Sequence, residues 1–163
     1  MPISVERLTL ATEILHHAAE DNHLVHGHTL PALMLIPTDG APHLCVLPQG
    51  LPQDDHLRDL VRHVGATAIA LTGEVWVSEP GIRPETLLRM PLDDLARPED
   101  DPQRQEAILT TGVGITPNGP TTVLNISMIE PDASGSSVLR PVSQAGTGLR
   151  TDGTAAYLTS LLI

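Results

Sequence analysis

The chain has 163 residues, enough for one domain with a real core and too few to expect two. Its formal net charge is −11, from 20 acidic residues against nine arginines and no lysine, and the acids are spread along the whole chain. That balance disfavours phosphate backbones and anionic membrane as partners, and the lack of lysine excludes a Walker-type phosphate loop, a Schiff-base enzyme and a lysine general base.

Trp76 and Tyr157 are the only aromatic residues, so the stacking rings of a single-strand binder are missing and the core must come from Leu, Ile, Val, Ala and Met. The single cysteine, Cys45, cannot form an internal disulfide, which points to a reducing compartment. MPISVERLTL has no basic region followed by an apolar run, and no window reaches the apolar length of a membrane span. A soluble, cytoplasmic protein is expected, with neither nucleic acid nor membrane as partner.

In chain order, Ser4 caps a first helix with Leu8, Ala11, Leu15 and Ala18 at helical spacing, ending near Glu20 before Asp21-Asn22. His16 and His17 then fall in its last turns, where the helix dipole favours positive charge. Leu30–Ile36 is apolar on both parities, as in a strand buried on both faces, and Pro37-Thr38-Asp39-Gly40 turns it into a hairpin with His43–Leu47. Asp54 or Asp55 caps a second helix with the apolar stripe Leu57, Leu60, Val61 and Val64, and Gly65 ends it.

Ala66–Ser78 is the longest β-type stretch and reads as the central strand, with small residues on the face where a helix lies close. Thr72-Gly73 is a weak hairpin signal, so one strand is favoured, with a bulge at Gly73 as an option. The polar, proline-rich excursion of about 79–105 follows, with a short helix from Pro84 to Pro91, and its length marks it as a candidate partner surface. Ala107–Ile115, the strand around Leu124, Ile126 and Met128, and Val138–Val142 form a meander. Asp152 caps a last helix holding Ala155, Leu158, Leu161 and Leu162. The whole is a single α+β domain, residues 1–163, with a largely antiparallel sheet and helices on one face.

All eight histidines lie within the first 63 residues. His23, His26 and His28, with Glu20 or Asp21 as a carboxylate, could surround Zn²⁺ or a similar ion at a helix exit, although the spacing matches no zinc signature closely. The plainer reading is a solvated loop with helix-terminal histidines. Cys45 shares a strand face with His43, a poor geometry for a Cys–His nucleophile, and reads as a small core hydrophobe. Gly112-Val113-Gly114 and Gly146-Thr147-Gly148 lack the strand–turn–helix context of a dinucleotide loop, and the second reads as a flexible connector. Ser134-Gly135-Ser136-Ser137 reads as a turn, and Glu99-Asp100-Asp101 as a solvated acidic turn. Glu74 faces the same way as Trp76 and is expected to pair with an arginine such as Arg104.

Glu74–Ser78, the excursion and Pro102-Gln103-Arg104-Gln105-Glu106-Ala107 together resemble a set of uncharacterised bacterial small proteins, in which a Trp-containing strand is followed by a polar loop and an Arg-x-Glu strand start. The resemblance covers about a quarter of the chain. It implies no activity and suggests that Trp76, Arg104 and Glu106 are fixed parts of the scaffold. The residues point first to a non-catalytic protein acting through protein–protein contact, as a homodimer. The alternative is a metal-binding protein or metal-dependent hydrolase using the histidine-rich segment 16–28.

Overall fold

A computed structural model of the chain describes residues 1–77, 105–141, 146–148 and 153–163. The excursion, apart from Gln105, therefore lies outside the described residues, as do the short helix from Pro84, Arg104 and Asp152. The first helix, α1 (Val5–His26), starts where Ser4 is extended and its Oγ accepts the Arg7 N–H at 3.1 Å. It runs six residues beyond the expected end at Glu20. Asp21 and Asn22 are tolerated because the apolar seam continues through Ala19 to His23, and the stop comes at Gly27, which takes the left-handed conformation and donates to the His23 carbonyl.

Strands β1 (Ala32–Pro37) and β2 (His43–Val46) form the expected hairpin. Helix α2 (Asp54–Val64) is preceded by Gln53 rather than capped by an aspartate side chain; Asp54 and Asp55 instead occupy the first turn, where the helix dipole favours them. Gly65 ends it at positive φ. Strand β3 (Ala66–Val77) is a single strand and passes through Gly73 in unbroken register with β4 (Gln105–Thr116). Strand β5 (Gly119–Pro131) returns from a tight turn, and β6 (Ser137–Pro141) follows. The tract expected to be a connector forms a short strand, β7 (Gly146–Gly148), before the last helix, α3 (Gly153–Leu162).

The strands lie in the order β2-β1-β3-β4-β5-β6, every pair antiparallel. β7 also pairs with β5, at Thr122–Leu124, while β6 takes Ser127–Pro131. The two short strands thus lie end to end along one edge, and β2 forms the other.

The α+β class and the antiparallel sheet agree with the sequence. The helices, however, are divided between the two faces rather than gathered on one. Leu8, Ala11 and Leu15 of α1 pack on Ala32, Met34, Ile36, Ala68, Ala70 and Val123. On the opposite face, Leu57 and Val61 of α2 and Ala155, Leu158 and Leu161 of α3 pack on Leu33, Leu35, Ile69 and Val113. β1 is apolar on both parities because both of its faces are covered. Tyr157 ties the two helices of that face together by donating to Asp54 at 2.8 Å, and burial followed by this contact raises the phenol's pKa.

Helix α1 approaches the sheet most closely over β4. A Cβ added at Gly112 would collide with Thr12 Oγ1, and one at Gly114 would meet Ile3 Cγ2 at 2.9 Å and Ala68 Cβ at 3.2 Å. These glycines leave a groove in which the helix sits. Thr12 cannot swing aside freely, since it is buried and its hydroxyl donates to the Leu8 carbonyl at 2.7 Å. Gly112→Ala is expected to lower the unfolding free energy by about 1–3 kcal/mol through overpacking. Thr12→Ala in the same chain should restore part of that loss, as read from urea midpoints in a double-mutant cycle.

Candidate functional site

Between α1 and the sheet runs a chain of buried polar side chains. His16 sits in the middle of α1, on the apolar seam with Leu8 and Leu15, rather than in a last turn. Its Nδ1 lies 2.8 Å from Thr110 Oγ1 and its Nε2 lies 2.8 Å from Ser127 Oγ. Thr110 is in turn 2.7 Å from Thr72 Oγ1, and Ser127 donates to Glu20 Oε2 at 2.8 Å. The other Glu20 oxygen meets His17 Nδ1 at 2.8 Å. One helix is thereby bonded to β3, β4 and β5. The residues come together because Thr72, Thr110 and Ser127 all occupy the α1 face of their strands, and Thr72 pairs directly with Thr110.

A carboxylate only accepts, and this fixes the direction of the bonds. Ser127 gives its one proton to Glu20, so it must accept from His16 Nε2–H. Nδ1 of a neutral imidazole is then the acceptor and takes the Thr110 proton, which leaves Thr110 free to accept from Thr72. Every donor meets an acceptor only with His16 neutral and protonated on Nε2. Burial pushes the His16 pKa down; Glu20 opposes this and His17 adds to it. Ser127, His16 and Glu20 have the residue types of a hydrolytic triad but not its order: the carboxylate bonds the serine rather than the imidazole, and Ser127 is only 1% exposed. The arrangement holds a helix in place and offers no open nucleophile.

Two turns along α1, His23 is also buried, and its Nδ1 lies 2.9 Å from Glu74 Oε1. The same oxygen accepts the Thr29 N–H at 2.6 Å, while Thr29 Oγ1 donates to the Ala19 carbonyl at 2.6 Å. Glu74 thus closes the end of α1 onto β3 through His23 and Thr29, while Arg104, named as its expected partner, lies outside the described residues. Nε2 of His23 has no hydrogen-bond partner among the described residues.

The candidate metal set His23, His26 and His28 is not assembled. His23 turns inward to Glu74, whereas His26 and His28 are exposed, with ring centroids 6.5 Å apart. His23 and His26 stand three residues apart, near one another on the helix surface, but Glu74 holds the His23 ring inward against β3 while the His26 and His28 rings lie in solvent. Among the described residues, no group of three His, Cys, Asp or Glu side chains could hold a metal ion.

Cys45 is half-buried in β2 against the α2–α3 face, as a small hydrophobe. Gly112 and Gly114 serve the close helix approach. Ser134–Ser136 form a turn around Asp132, whose Oδ1 accepts from Ser134 N, Ser134 Oγ and Ser136 N. Those bonds, the Ser134 hydroxyl foremost, lower the Asp132 pKa. Glu99-Asp100-Asp101 lies outside the described residues. Trp76 and Glu106, two members of the suspected scaffold set, pair directly across β3 and β4.

A second feature lies at the β2 edge. Leu47 N–H bonds the Pro31 carbonyl at 2.7 Å, and pairing alternates along an antiparallel ladder, so the backbone groups of Leu44 and Val46 turn to the outer edge, which pairs with no further strand among the described residues. Their side chains are 56% and 54% exposed and lie on the α1 face. There they line a hollow of about 230 Å³ with Leu15, Ala18, Leu30 and Ala32. Ile14 and Leu10, also exposed, carry the apolar surface along the outside of α1, and Leu24 and Val25 extend it toward the helix end.

The hydroxyl partners of His16 were not legible beforehand, since Thr and Ser are ordinary strand residues on either face. The available signal was a histidine placed on an apolar helical stripe. Comparison with protein-family models, curated proteins and solved structures finds no match.

Ser127→Ala and Thr110→Val are each expected to cost about 1–3 kcal/mol, because each strands a buried ring nitrogen. Equilibrium denaturation near pH 7.5 measures this. By contrast, replacing exposed His26 and His28 together by Ala should change stability by no more than about 0.5 kcal/mol per residue, and added Zn²⁺ should not raise the melting temperature of the parent chain.

Proposed function

We propose that this chain is a non-catalytic protein-contact domain that self-associates as a homodimer through the β2 edge and the adjoining outer face of α1. The observation that carries this reading is the coincidence, at Leu44 and Val46, of open backbone groups with exposed apolar side chains. An edge with both properties is a template for strand addition. No aspartate, glutamate or arginine occurs in β2 or among the described residues lining the hollow, although the chain carries −11. Charge repulsion is therefore weak along β2 and the hollow, where the two strands would meet.

A second copy suits the edge by symmetry. A twofold axis makes β2 pair with itself in antiparallel fashion, which is the isologous arrangement closed oligomers use. Pairing Leu44 with Val46 of the second copy engages the open backbone groups of both and gives the greatest overlap of so short a strand. In that register Cys45 faces Cys45 of the second copy as a non-hydrogen-bonded pair, where Cα atoms stand roughly 4.5 Å apart, within disulfide reach.

Light scattering on a sizing column is expected to give a dimer, favoured by added salt because screening weakens the repulsion of two acidic copies. Mild copper–phenanthroline oxidation should trap it through Cys45. Leu44→Arg, which places like charges across the axis, should give a monomer that no longer cross-links. A parent chain that is monomeric at high concentration and high salt would overturn the assignment, and a dimer insensitive to Leu44→Arg would move the interface elsewhere.

A further inference from the structure

We propose that His16 is a proton-operated latch: uptake of one proton by its ring releases the C-terminal half of α1 from β3, β4 and β5. The inference stands on the buried chain of hydroxyls and holds whether or not the chain self-associates. Both ring nitrogens are already engaged at 2.8 Å, one as acceptor and one as donor. A proton arriving at Nδ1 removes the acceptor that Thr110 uses. Thr110 must then turn its hydrogen toward Thr72, and Thr72 loses its own acceptor in exchange. One proton thus reverses two hydrogen bonds and places a cation beneath the helix, where an ion without a direct counter-charge is costly.

Each element packed against the C-terminal half of α1 presents groups toward the ring. From α1 come Glu20 and His17, with Thr12 on the turn before and His23 two turns on. β3 brings Thr72 and, beyond it, Glu74, which is bonded to His23. β4 brings Thr110, with Glu106 four residues nearer the exposed strand end. β5 brings Ser127 and Asn125, and β6 presents Leu139 on this face while Arg140 turns to the other. The carboxylate that acts on the ring is Glu20, linked to His16 through Ser127.

The sign follows from the buried ring. Burial outweighs Glu20 and lowers the folded-state pKa, so the folded protein resists a proton that the unfolded chain accepts near pH 6.5. The contribution of the neutral ring is complete above that value and is lost as pH falls toward the lower folded-state value. The N-terminal half of α1 is held independently of this proton. Arg7 donates to the carbonyls of Pro37 and Gly40, and Leu8 and Thr12 sit over the glycine groove.

Amide hydrogen exchange of the full chain, corrected for intrinsic rates, tests the latch between pH 7.5 and 5. Protection across Leu15–His26 is expected to fall below neutrality by up to about tenfold per pH unit, the limit for one linked proton, while Leu8–Thr12 and β3 keep theirs. His16→Gln, whose carboxamide can donate and accept but not titrate, should abolish that dependence. Should His16→Gln fail to fold, Glu20→Gln is decisive: without the carboxylate that favours the protonated ring the folded-state value falls further, so the loss still begins near pH 6.5 but must continue to lower pH before it levels off. The proposal is overturned by an unchanged response in His16→Gln, by a response that disappears in His23→Gln instead, by protection lost uniformly along the chain, or by a Glu20→Gln response that levels off at the same pH as in the parent chain or at a higher one.

Discussion

The structure depends on how closely α1 lies on β4. A helix packs on a sheet at the usual separation when side chains fill the gap; here Gly112 and Gly114 remove them, and Thr12, Leu8 and Ile3 drop into the space. That approach brings a helical histidine within hydrogen-bond reach of hydroxyls on β4 and β5. It also explains the small residues Ala68 and Ala70 on the same face of β3, which are fully buried beneath the helix. The polar chain is thus a consequence of backbone proximity, and larger residues at 112 or 114 would separate its members.

Polar groups in such a place do not add much net stability, because each must shed water before it finds a partner. Their value is in specifying position. Helix α1 has exposed apolar residues on its outer side as well as its inner one, so its hydrophobic pattern alone fixes its rotation poorly. His16 and His23 supply the missing information, since a rotated helix would bury two imidazoles against apolar side chains. Glu74 does the same for the helix end, tying His23 and the Thr29 backbone to one carboxylate oxygen.

The legible parts of the sequence were those in which one local signal decides the outcome. Ser4 and Gly65 mark helix boundaries, period-two alternation marks β3 and β4, and the doubly apolar β1 already implied a cover on each face. The single-face arrangement of helices conflicted with that last observation, and the doubly apolar strand was the better guide. The histidines misled because their clustering in sequence suggested clustering in space. Helical geometry aligns His23 with His16, seven residues away, a relation visible only once the helix is known to pass Asn22, and the bond to Glu74 turns His23 inward while His26 and His28 stay exposed. The hydroxyl partners lie 94 and 111 residues from His16, and no local pattern encodes that distance.

The two edges of the sheet are treated differently, and the difference bears on self-association. Along β5 the outer edge is broken into β6 and β7; it carries Pro141 and an Arg140–Glu130 ion pair at 2.7 Å. Short pieces, proline and charge are the usual means of making an edge unreceptive to another strand. β2 carries no proline and no Asp, Glu or Arg within its four residues and relies on shortness alone. A short edge cannot sustain open-ended stacking, because each added strand would gain too few hydrogen bonds to offset its ordering. It can close on an identical copy, since one twofold contact uses both edges at once and leaves none for a third chain. In the proposed dimer the apolar neighbours on α1 would supply the area that four residues of ladder lack, since the exposed leucines and valines of the helix and of β2 fall on the same side of the sheet.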